Sequence, residues 1–357
     1  MPDSSSSVPP AASRKRGRNW IKATFRAIGV AVCMLVLALV AAWAAGALYF
    51  DLPFPRLRLP AALLFGAVMA CALFFTWPLR RKAIVMAAGF ALVLCWWLTI
   101  RPRSDRNWQP DVAETAWAEI DGDNITIHNV RNCDYRAWND YTPRWETRTV
   151  RLSQITGMDL FIDYWGTTWI AHPIVSFQFA DAPPLAMSIE VRKRVGQEYS
   201  PIGGFYRQFE LIYIAADERD VVRVRTNYLN EDLYLYHLNV SPGDSRDLFL
   251  DYIATINKLH EQPRWYNAVA GNCTTCIGAQ KITHTHIPWD WRILLNGKGD
   301  RMLYEHGLLA GDLPFDELKH RSLIDAAAKA AGSAPDFSAL VRAGLPGFAQ
   351  APTDSSH

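Results

Sequence analysis

Cys273 is the residue whose type and setting point most directly to chemistry. It lies in the small polar stretch Gly271-Asn272-Cys273-Thr274-Thr275, where the pattern predicts the start of a helix running through Ile277 towards Ile282. A thiol at a helix N-terminus is partly deprotonated by the positive end of the helix dipole, and the thiolate is the reactive form. The setting therefore predicts a nucleophilic cysteine.

Other interpretations of Cys273 stay open at this point. It could be a buried structural cysteine, or it could combine with Cys276 in a disulfide, a thiol-redox motif or half of a metal site. A single CxxC pair argues against zinc, although His284 and His286 lie nearby in the sequence. The absence of a βαβ pattern around the CxxC pair argues against a redox motif. We therefore expect neither a metal ion nor a cofactor.

A nucleophilic cysteine needs a base, and His172 is the candidate. It stands just before one predicted strand, and Glu190 stands near the end of the next. If the two strands pair as a hairpin, Glu190 could orient the His172 ring and stabilise its imidazolium, as the third member of a catalytic triad does. The alternatives are a core histidine at position 172 and a surface ion pair of Glu190 with Arg192 or Lys193.

Four further residues are candidates for substrate binding. Tyr266 and Asn272 come shortly before Cys273 and could shape a pocket around it. Arg192 and Arg225 could bind an anionic headgroup, although arginines on a solvated strand face would give the same pattern.

The elements that must position these residues change character along the chain. From about Asp111 short alternating segments predict strands, and after Ser241 the pattern turns helical. Ser241 is a suitable N-cap, and Pro263 ends the helix that follows it. Further on, Phe315–Ala331 predicts a surface helix rich in alanine. Strands followed by helices, without βαβ alternation, predict an α+β domain with an antiparallel sheet. Ile120–His128 is predicted as strand material around a tight turn at Asp121-Gly122. The other predicted strands are Thr147–Leu152, Met158–Tyr164, Ile174–Phe179, Leu185–Val191, Phe209–Ile214, Val221–Arg225 and Leu233–Val240.

The first hundred residues contain three apolar runs, Ala27–Phe50, Leu59–Leu79 and Ala83–Ile100. Each is long enough to cross a hydrocarbon core of ~30 Å as a helix. A cleaved signal peptide is the alternative for the first run, because a basic segment precedes it. That run is longer than an h-region of ~7–15 residues, however, and two more runs follow it. The pattern therefore predicts three transmembrane helices.

Positive charge predicts the orientation of these helices. The N-terminal tail is strongly basic, and Arg80, Arg81 and Lys82 lie between the second and third runs, which places both clusters in the cytoplasm. Everything after Ile100 then lies outside the cytoplasm, although arginines at positions 101, 103 and 106 oppose this assignment. We therefore expect a multi-pass protein of the bacterial inner (cytoplasmic) membrane, with a cytoplasmic N-terminus and a periplasmic main domain.

Composition narrows the remaining possibilities. A formal net charge of +2, without a basic stripe interleaved with aromatics, argues against a nucleic-acid partner. Six cysteines, three of them inside the apolar runs, are too few for a disulfide framework. The expected organisation is a disordered basic cytoplasmic tail (1–23), the transmembrane region (24–100), a periplasmic α+β domain of catalytic type (111–300), and a C-terminal helical extension with a disordered tail (301–357).

Several separated motifs resemble the Lnb N-terminal periplasmic domain family over roughly residues 115–285. The family is named after a lipoprotein N-acyltransferase, which implies a cysteine and a histidine acting on lipoprotein acyl chains. The order of histidine before cysteine also resembles circularly permuted papain-like folds, which implies triad roles for His172, Glu190 and Cys273. Cys276 departs from the expected pattern, and a disulfide with Cys273 would inactivate the nucleophile. The matching motifs are Asn132-Cys133-Asp134-Tyr135, Arg144-Trp145-Glu146-Thr147-Arg148, Ile170-Ala171-His172-Pro173-Ile174-Val175-Ser176-Phe177, Ser188-Ile189-Glu190, Ala216-Asp217-Glu218-Arg219-Asp220, Arg225-Thr226-Asn227-Tyr228 and Asn272-Cys273-Thr274-Thr275.

The resemblance implies a membrane-anchored periplasmic acyltransferase or amidohydrolase that forms a thioester on Cys273, with membrane lipids or lipoproteins as partners. Two alternatives stay open. One is an envelope cysteine peptidase or amidase acting on cell-wall peptides. The other is a membrane-tethered binding domain without catalysis, in which Cys273 would be unreactive or distant from His172.

Overall fold

The computed structural model describes residues 12–267, 292 and 296–348, and contacts between residues divide the chain into two compact units, Met1–Arg101 and Pro102–His357. The first unit contains three helices that are long and apolar enough to cross a membrane. Asp51 Oδ2, at the end of the first helix, accepts a hydrogen bond of 2.6 Å from Trp97 Nε1 of the third. The prediction of three apolar helices long enough to cross a membrane is confirmed. These helices are Ala12–Asp51 (α1), Pro55–Phe74 (α2) and Leu79–Thr99 (α3).

Helix α1 begins earlier than the sequence predicts. It starts at Ala12, inside the segment 1–23 for which we expect a disordered tail. Alanine, lysine and arginine favour the helix, and no proline follows Pro10 until Pro53. The apolar run therefore continues backwards as a helix into the basic segment.

The second unit is built on an eight-stranded sheet in the order β1-β2-β9-β8-β7-β6-β10, with β5 also paired to β2. Its pairings are antiparallel, apart from a parallel bridge between β2 and β9 at Arg131 and Ala216. All but one of the predicted strand segments are strands, and the α+β class is confirmed. The strands are Trp117–Asp121 (β1), Asn124–Arg131 (β2), Asp134–Ala137 (β3), Asp140–Thr142 (β4), Trp145–Arg151 (β5), Ile155–Tyr164 (β6), Ala171–Phe179 (β7), Leu185–Arg192 (β8), Glu210–Ala216 (β9) and Asp232–His237 (β10), with β3 and β4 forming a separate hairpin.

The exception is Val221–Arg225, which the alternation of valine and arginine predicts as a strand. It lies instead in a helix, Glu218–Arg223 (α4), that continues as a π-helical turn, Val224–Leu229. Asp217 caps α4 by accepting a hydrogen bond from the backbone N–H of Arg219 at 2.9 Å. Here the local cap and the packing of α4 override the β propensity of valine, because strand propensity depends on context.

Each face of the sheet carries its own core. On the first face, Phe249 and Tyr252 of helix Pro242–Glu261 (α5) pack against Phe177 and Tyr213. The expected N-cap of α5 is confirmed, since Ser241 Oγ accepts a hydrogen bond from the N–H of Asp244 at 3.0 Å. On the second face, apolar residues of α4 and of the C-terminal segment cover the sheet. This second core includes Phe161, Ile174, Ala186, Ile214, Val221, Val222, Ile324, Ala328, Phe337 and Val341.

The C-terminal segment is an integral part of the domain. The predicted surface helix Phe315–Ala331 is two helices separated by Ser322-Leu323-Ile324, because this stretch hydrogen-bonds to β10. The N–H of Leu235 donates to the Ser322 carbonyl at 2.8 Å, and the N–H of Ile324 donates to the Leu233 carbonyl at 2.9 Å. The break thus covers an otherwise open sheet edge. The remaining helices are Gly299–Glu305 (α6), Phe315–Arg321 (α7), Asp325–Ala331 (α8) and Phe337–Leu340 (α9).

Helix α9 offers a direct test of this packing. Phe337 is 1% exposed, whereas Leu340 in the same helix is 40% exposed. Phe337→Ala is expected to lower the free energy of unfolding by about 3–5 kcal/mol, because it leaves a cavity in the second core. Leu340→Ala should change it by no more than ~0.5 kcal/mol. Denaturant titration of the full-length protein in detergent measures both, and equal effects would contradict the packing of α9 on the sheet.

Candidate functional site

His172 lies on the second face of the sheet, near the start of β7. Strands β7 and β8 pair as the predicted hairpin, with Ile174 opposite Ser188. Two residues further along each strand, the same register brings His172 opposite Glu190. Because side chains alternate across a strand, His172, Ser188 and Glu190 all project to one face. His172 is only 6% exposed.

The carboxylate of Glu190 reaches His172 through a serine rather than directly. His172 Nε2 lies 2.8 Å from Ser188 Oγ, and Ser188 Oγ donates to Glu190 Oε1 at 2.8 Å. We call these three residues the relay. Sequence reasoning missed Ser188, although its position two residues before Glu190 on a strand placed both on the same face.

The direction of these hydrogen bonds defines the protonation of the histidine. Although burial opposes it, Arg131 and Arg225 hold the pKa of Glu190 well below its usual range. The carboxylate is therefore ionised and takes the one hydroxyl proton of Ser188. Nε2 of His172 must then bring its own hydrogen, which leaves Nδ1 as the ring atom with the free lone pair.

His172 is neutral in this setting. Burial, with a further contribution from the positive charge of Arg225, lowers the pKa of His172 to about 3. Within the described part of the chain, Nδ1 makes no hydrogen bond. A neutral imidazole with an available Nδ1 can accept the proton of a thiol.

Two arginines support the relay. Arg225 donates from Nε to Asp163 Oδ2 at 3.0 Å and from Nη2 to Glu190 Oε1 at 3.3 Å. Arg131, which sequence reasoning missed, is 2% exposed and binds Asp220 through both Nε and Nη2 at 2.9 Å. Its Nη1 lies 3.8 Å from Glu190 Oε2. Arg225 thus contacts the relay from inside the domain. It does not lie on a solvated strand face, which was the alternative interpretation of the sequence.

Arg192 lies in a different environment. Its side chain is 3% exposed, and it donates to the carbonyl oxygens of Val112 at 2.9 Å and Ala113 at 2.5 Å. The guanidinium also stacks over the Trp108 ring at 4.4 Å. These contacts hold the segment before β1 against β8, and the structure does not bring Arg192 to the relay. A headgroup-binding role for Arg192 stays a prediction.

The residues predicted around the nucleophile are only partly described. Tyr266 lies beside the start of β9, since its N–H donates a hydrogen bond to the carbonyl of Phe209 at 3.0 Å. Asn272, Cys273 and Cys276 lie outside the described residues, as does the helix predicted from Asn272.

Gly297 lies against the loop that leads to His172. Gly297 donates its N–H to the carbonyl of Trp169 at 3.0 Å, three residues before His172. Tyr164 Oη in turn donates to the carbonyl of Gly297 at 3.0 Å. A side chain at position 297 would come within 2.4 Å of the Trp169 backbone, so this approach requires glycine. Gly297 thus packs against the backbone of the loop that precedes His172.

Cys133, the cysteine of this domain that the structure describes, is not a candidate nucleophile. Cys133 is buried, and burial, with the nearby Asp220 carboxylate, raises its pKa to about 12. A thiol with so high a pKa carries almost no thiolate near neutral pH. Among the described residues there is also no group of three histidine, cysteine or carboxylate side chains arranged to hold a metal ion.

The buried Arg131–Asp220 pair generates a stability prediction. Asp220→Asn should lower the free energy of unfolding by about 3–5 kcal/mol, because it leaves the Arg131 charge buried without its partner. The matched control is Asp140→Asn, which breaks the exposed Arg136–Asp140 pair and should leave the free energy of unfolding nearly unchanged, because solvent screens an exposed pair. Denaturant unfolding in detergent compares the two, and a small effect at Asp220 would contradict the structural role of the pair.

The lowered pKa of His172 generates a pH prediction. Between about pH 6.5 and pH 3 an unfolded chain protonates this histidine while the folded domain does not, so stability falls as pH falls. His172→Gln removes that proton uptake. Between pH 7 and pH 4 the free energy of unfolding should fall less in the His172→Gln variant than in the wild type. The difference should be on the order of 3 kcal/mol. A larger loss in the variant would mean that the folded histidine is charged.

Comparison with known families identifies this domain. The model of the family described as the Lnb N-terminal periplasmic domain matches residues 141–297, a range that includes His172, Glu190, Arg225 and Cys273. Comparisons with curated proteins and with solved structures gave no match. The likeness to circularly permuted papain-like folds stays a prediction. Together with three helices able to span a membrane, the match describes a membrane-anchored protein with a periplasmic domain. The chain carries, over residues 141–297, a domain of the Lnb N-terminal periplasmic domain family.

Proposed function

We propose that this protein is a cysteine-dependent acyltransferase or amidohydrolase that acts on lipid or lipoprotein acyl groups through a thioester on Cys273. The observation that carries the proposal is the relay, which leaves Nδ1 of a neutral, buried His172 as a proton acceptor. In this proposal His172 is the general base, Glu190 acts on it through Ser188, and Cys273 is the nucleophile.

The proposed reaction begins with transfer of the Cys273 thiol proton to Nδ1 of His172. The thiolate attacks the carbonyl carbon of an ester or amide, and the imidazolium returns the proton to the departing oxygen or nitrogen. The acyl group is then a thioester on Cys273. An amine or a water molecule, deprotonated by the same histidine, attacks the thioester and releases the thiol.

The relay suits a proton that is held only briefly. Glu190 stabilises the imidazolium indirectly, because the Ser188 hydroxyl lies between the carboxylate and the ring. Arg131 and Arg225 partly compensate the Glu190 charge, which keeps His172 neutral between transfers. The ring therefore accepts a proton only when a thiolate forms nearby to balance its charge.

An apolar loop beside His172 supports an acyl substrate. The loop between β6 and β7 exposes Trp165 (42%), Trp169 (53%) and Ile170 (49%). The Trp165 ring centroid lies 6.1 Å from that of His172. Large exposed apolar side chains grouped at a candidate site favour an apolar ligand over a cell-wall peptide.

The location we propose follows from the helices and the family. The three candidate spans would lie in the inner membrane with the N-terminus in the cytoplasm, because the basic residues before the first span and between the second and third would then be cytoplasmic. The domain would then face membrane lipids and lipoproteins in the periplasm.

The test is acyl-adduct formation on the full-length protein in isolated membranes, using a lipid-ester probe under reducing conditions. Wild type should form a thioester that hydroxylamine removes, and Cys273→Ala should form none. His172→Gln should slow adduct formation by about 10²- to 10⁴-fold, the usual contribution of a general base. Ser188→Ala should give a smaller decrease, because it breaks the relay but keeps the ring.

Cys276→Ser is the matched control, since it changes a thiol three residues from Cys273 and should retain the adduct. No adduct in the wild type would sink the acyl-transfer proposal and favour a binding domain. An adduct with peptide thioester or amide probes, but not with lipid esters, would favour the envelope peptidase.

A further inference from the structure

Asp163 is a buried carboxyl group beside the relay that the proposed reaction does not use. It is 1% exposed and lies on β6 directly opposite His172 of β7. Its Oδ2 accepts the hydrogen bond from Arg225 Nε, whereas its buried Oδ1 receives no N–H or hydroxyl donor in the part of the chain that the structure describes, and the Asp163 carboxyl lies against the carboxyl of Glu231. An oxygen that is desolvated and receives no donor disfavours the ionised form of the group.

The charges around Asp163 disfavour its ionisation as well. The guanidiniums of Arg131 and Arg225 are balanced by the carboxylates of Glu190 and Asp220, so a further negative charge would be in excess.

Two neighbouring elements place further carboxyl groups near Asp163. Glu231 precedes β10, and Asp325 begins α8. Burial, together with the Glu231 carboxylate and against the effect of Arg225, raises the pKa of Asp163 to about 8. These effects favour the protonated form of Asp163 at neutral pH, and we expect it to lose its proton in mildly alkaline solution.

We propose that Asp163 is a positioning residue of this site: its proton decides how Arg225 is shared between Asp163 and Glu190, and thereby how strongly the relay lets His172 attract a proton. The inference rests on the proposed pairing of His172 with Cys273. It assigns a role to a residue that does not touch the reacting atoms.

The two states of Asp163 differ in where the Arg225 charge is directed. With Asp163 protonated, Arg225 directs its full charge to Glu190, and His172 stays neutral. When Asp163 releases its proton to water, a negative charge appears opposite His172 and competes with Glu190 for Arg225. Both changes stabilise the imidazolium, which favours the thiolate–imidazolium form of the Cys273–His172 pair.

The experiment measures the rate of Cys273 alkylation by iodoacetamide between pH 5 and pH 10, by mass spectrometry of the full-length protein carrying Cys276→Ser under reducing conditions. In the protein carrying Cys276→Ser, the alkylation rate should rise once as the thiol itself titrates. It should rise a second time, by roughly three- to tenfold, near pH 8. Asp163→Asn retains an oxygen for Arg225 Nε and resembles the protonated acid. It should remove the second rise and leave the first.

Two neighbouring carboxylates provide the comparison. Glu231→Gln removes a charge that opposes Asp163 ionisation, so the second rise should move to lower pH. Asp232→Asn changes the next residue, which is exposed, and should leave the profile unchanged.

A second rise that persists in Asp163→Asn would overturn the inference. If that variant does not fold, Glu231→Gln decides the matter, because an unshifted second rise in it contradicts the role of Asp163. Failure of the proposed function has a different signature, in which His172→Gln leaves the alkylation rate unchanged at every pH.

Discussion

The buried guanidinium of Arg131 is the group on which the second face of the sheet depends. The backbone of Arg131 forms the parallel bridge from β2 to β9. Its carbonyl oxygen accepts a hydrogen bond from the N–H of Asp217, the cap of α4. Its side chain binds Asp220 of α4 and approaches Glu190 of β8. Removing a charge from water is unfavourable unless its partners are well placed. This requirement ties a strand junction, a helix and the relay into one arrangement.

A second set of buried charges fastens the C-terminal segment to the same face. Arg342 donates to Asp159 Oδ2 at 2.9 Å and to Glu218 Oε2 at 2.7 Å. Ser176 also donates to Glu218, and His237 Nδ1 lies 2.7 Å from Asp159 Oδ1. Arg342, which lies after α9, thereby links β6 to α4. The segment that follows α6 thus completes the fold that supports the relay.

Between these two charge clusters the second face is apolar, with Phe161, Ile174 and Ala186 in its core. The clusters are therefore separated by a dry layer, where each must satisfy its own charges locally. This explains why the surroundings of His172 contain so many charged groups and so little solvent. It also explains how one proton on Asp163 can matter, since nearby charges interact strongly in a poorly screened interior.

Much of this organisation can be predicted from the amino-acid sequence. Three uninterrupted apolar runs are enough to predict three membrane-capable helices, and period-2 alternation predicts the strands Ile174–Phe179 and Leu185–Val191, which pair as β7 and β8. Ser241 and Pro263 similarly predict both ends of α5. These features depend on neighbours in the sequence, where hydrophobic period, caps and breakers act over a few residues.

The tertiary structure decided what distant residues do. Val221–Arg225 became a helix and a π-helical turn because its surroundings, rather than its alternation, determined the packing. Phe315–Ala331 divided because the edge of β10 needed a partner. Ser188 joined Glu190 to His172, and Arg131 reached Glu190 from 59 positions away in the chain. By itself the sequence determined the spans, most strands and the candidate pair His172 and Glu190. The intervening serine, the arginines and the protonation of the site required the fold, because burial and charge depend on residues that only folding brings together.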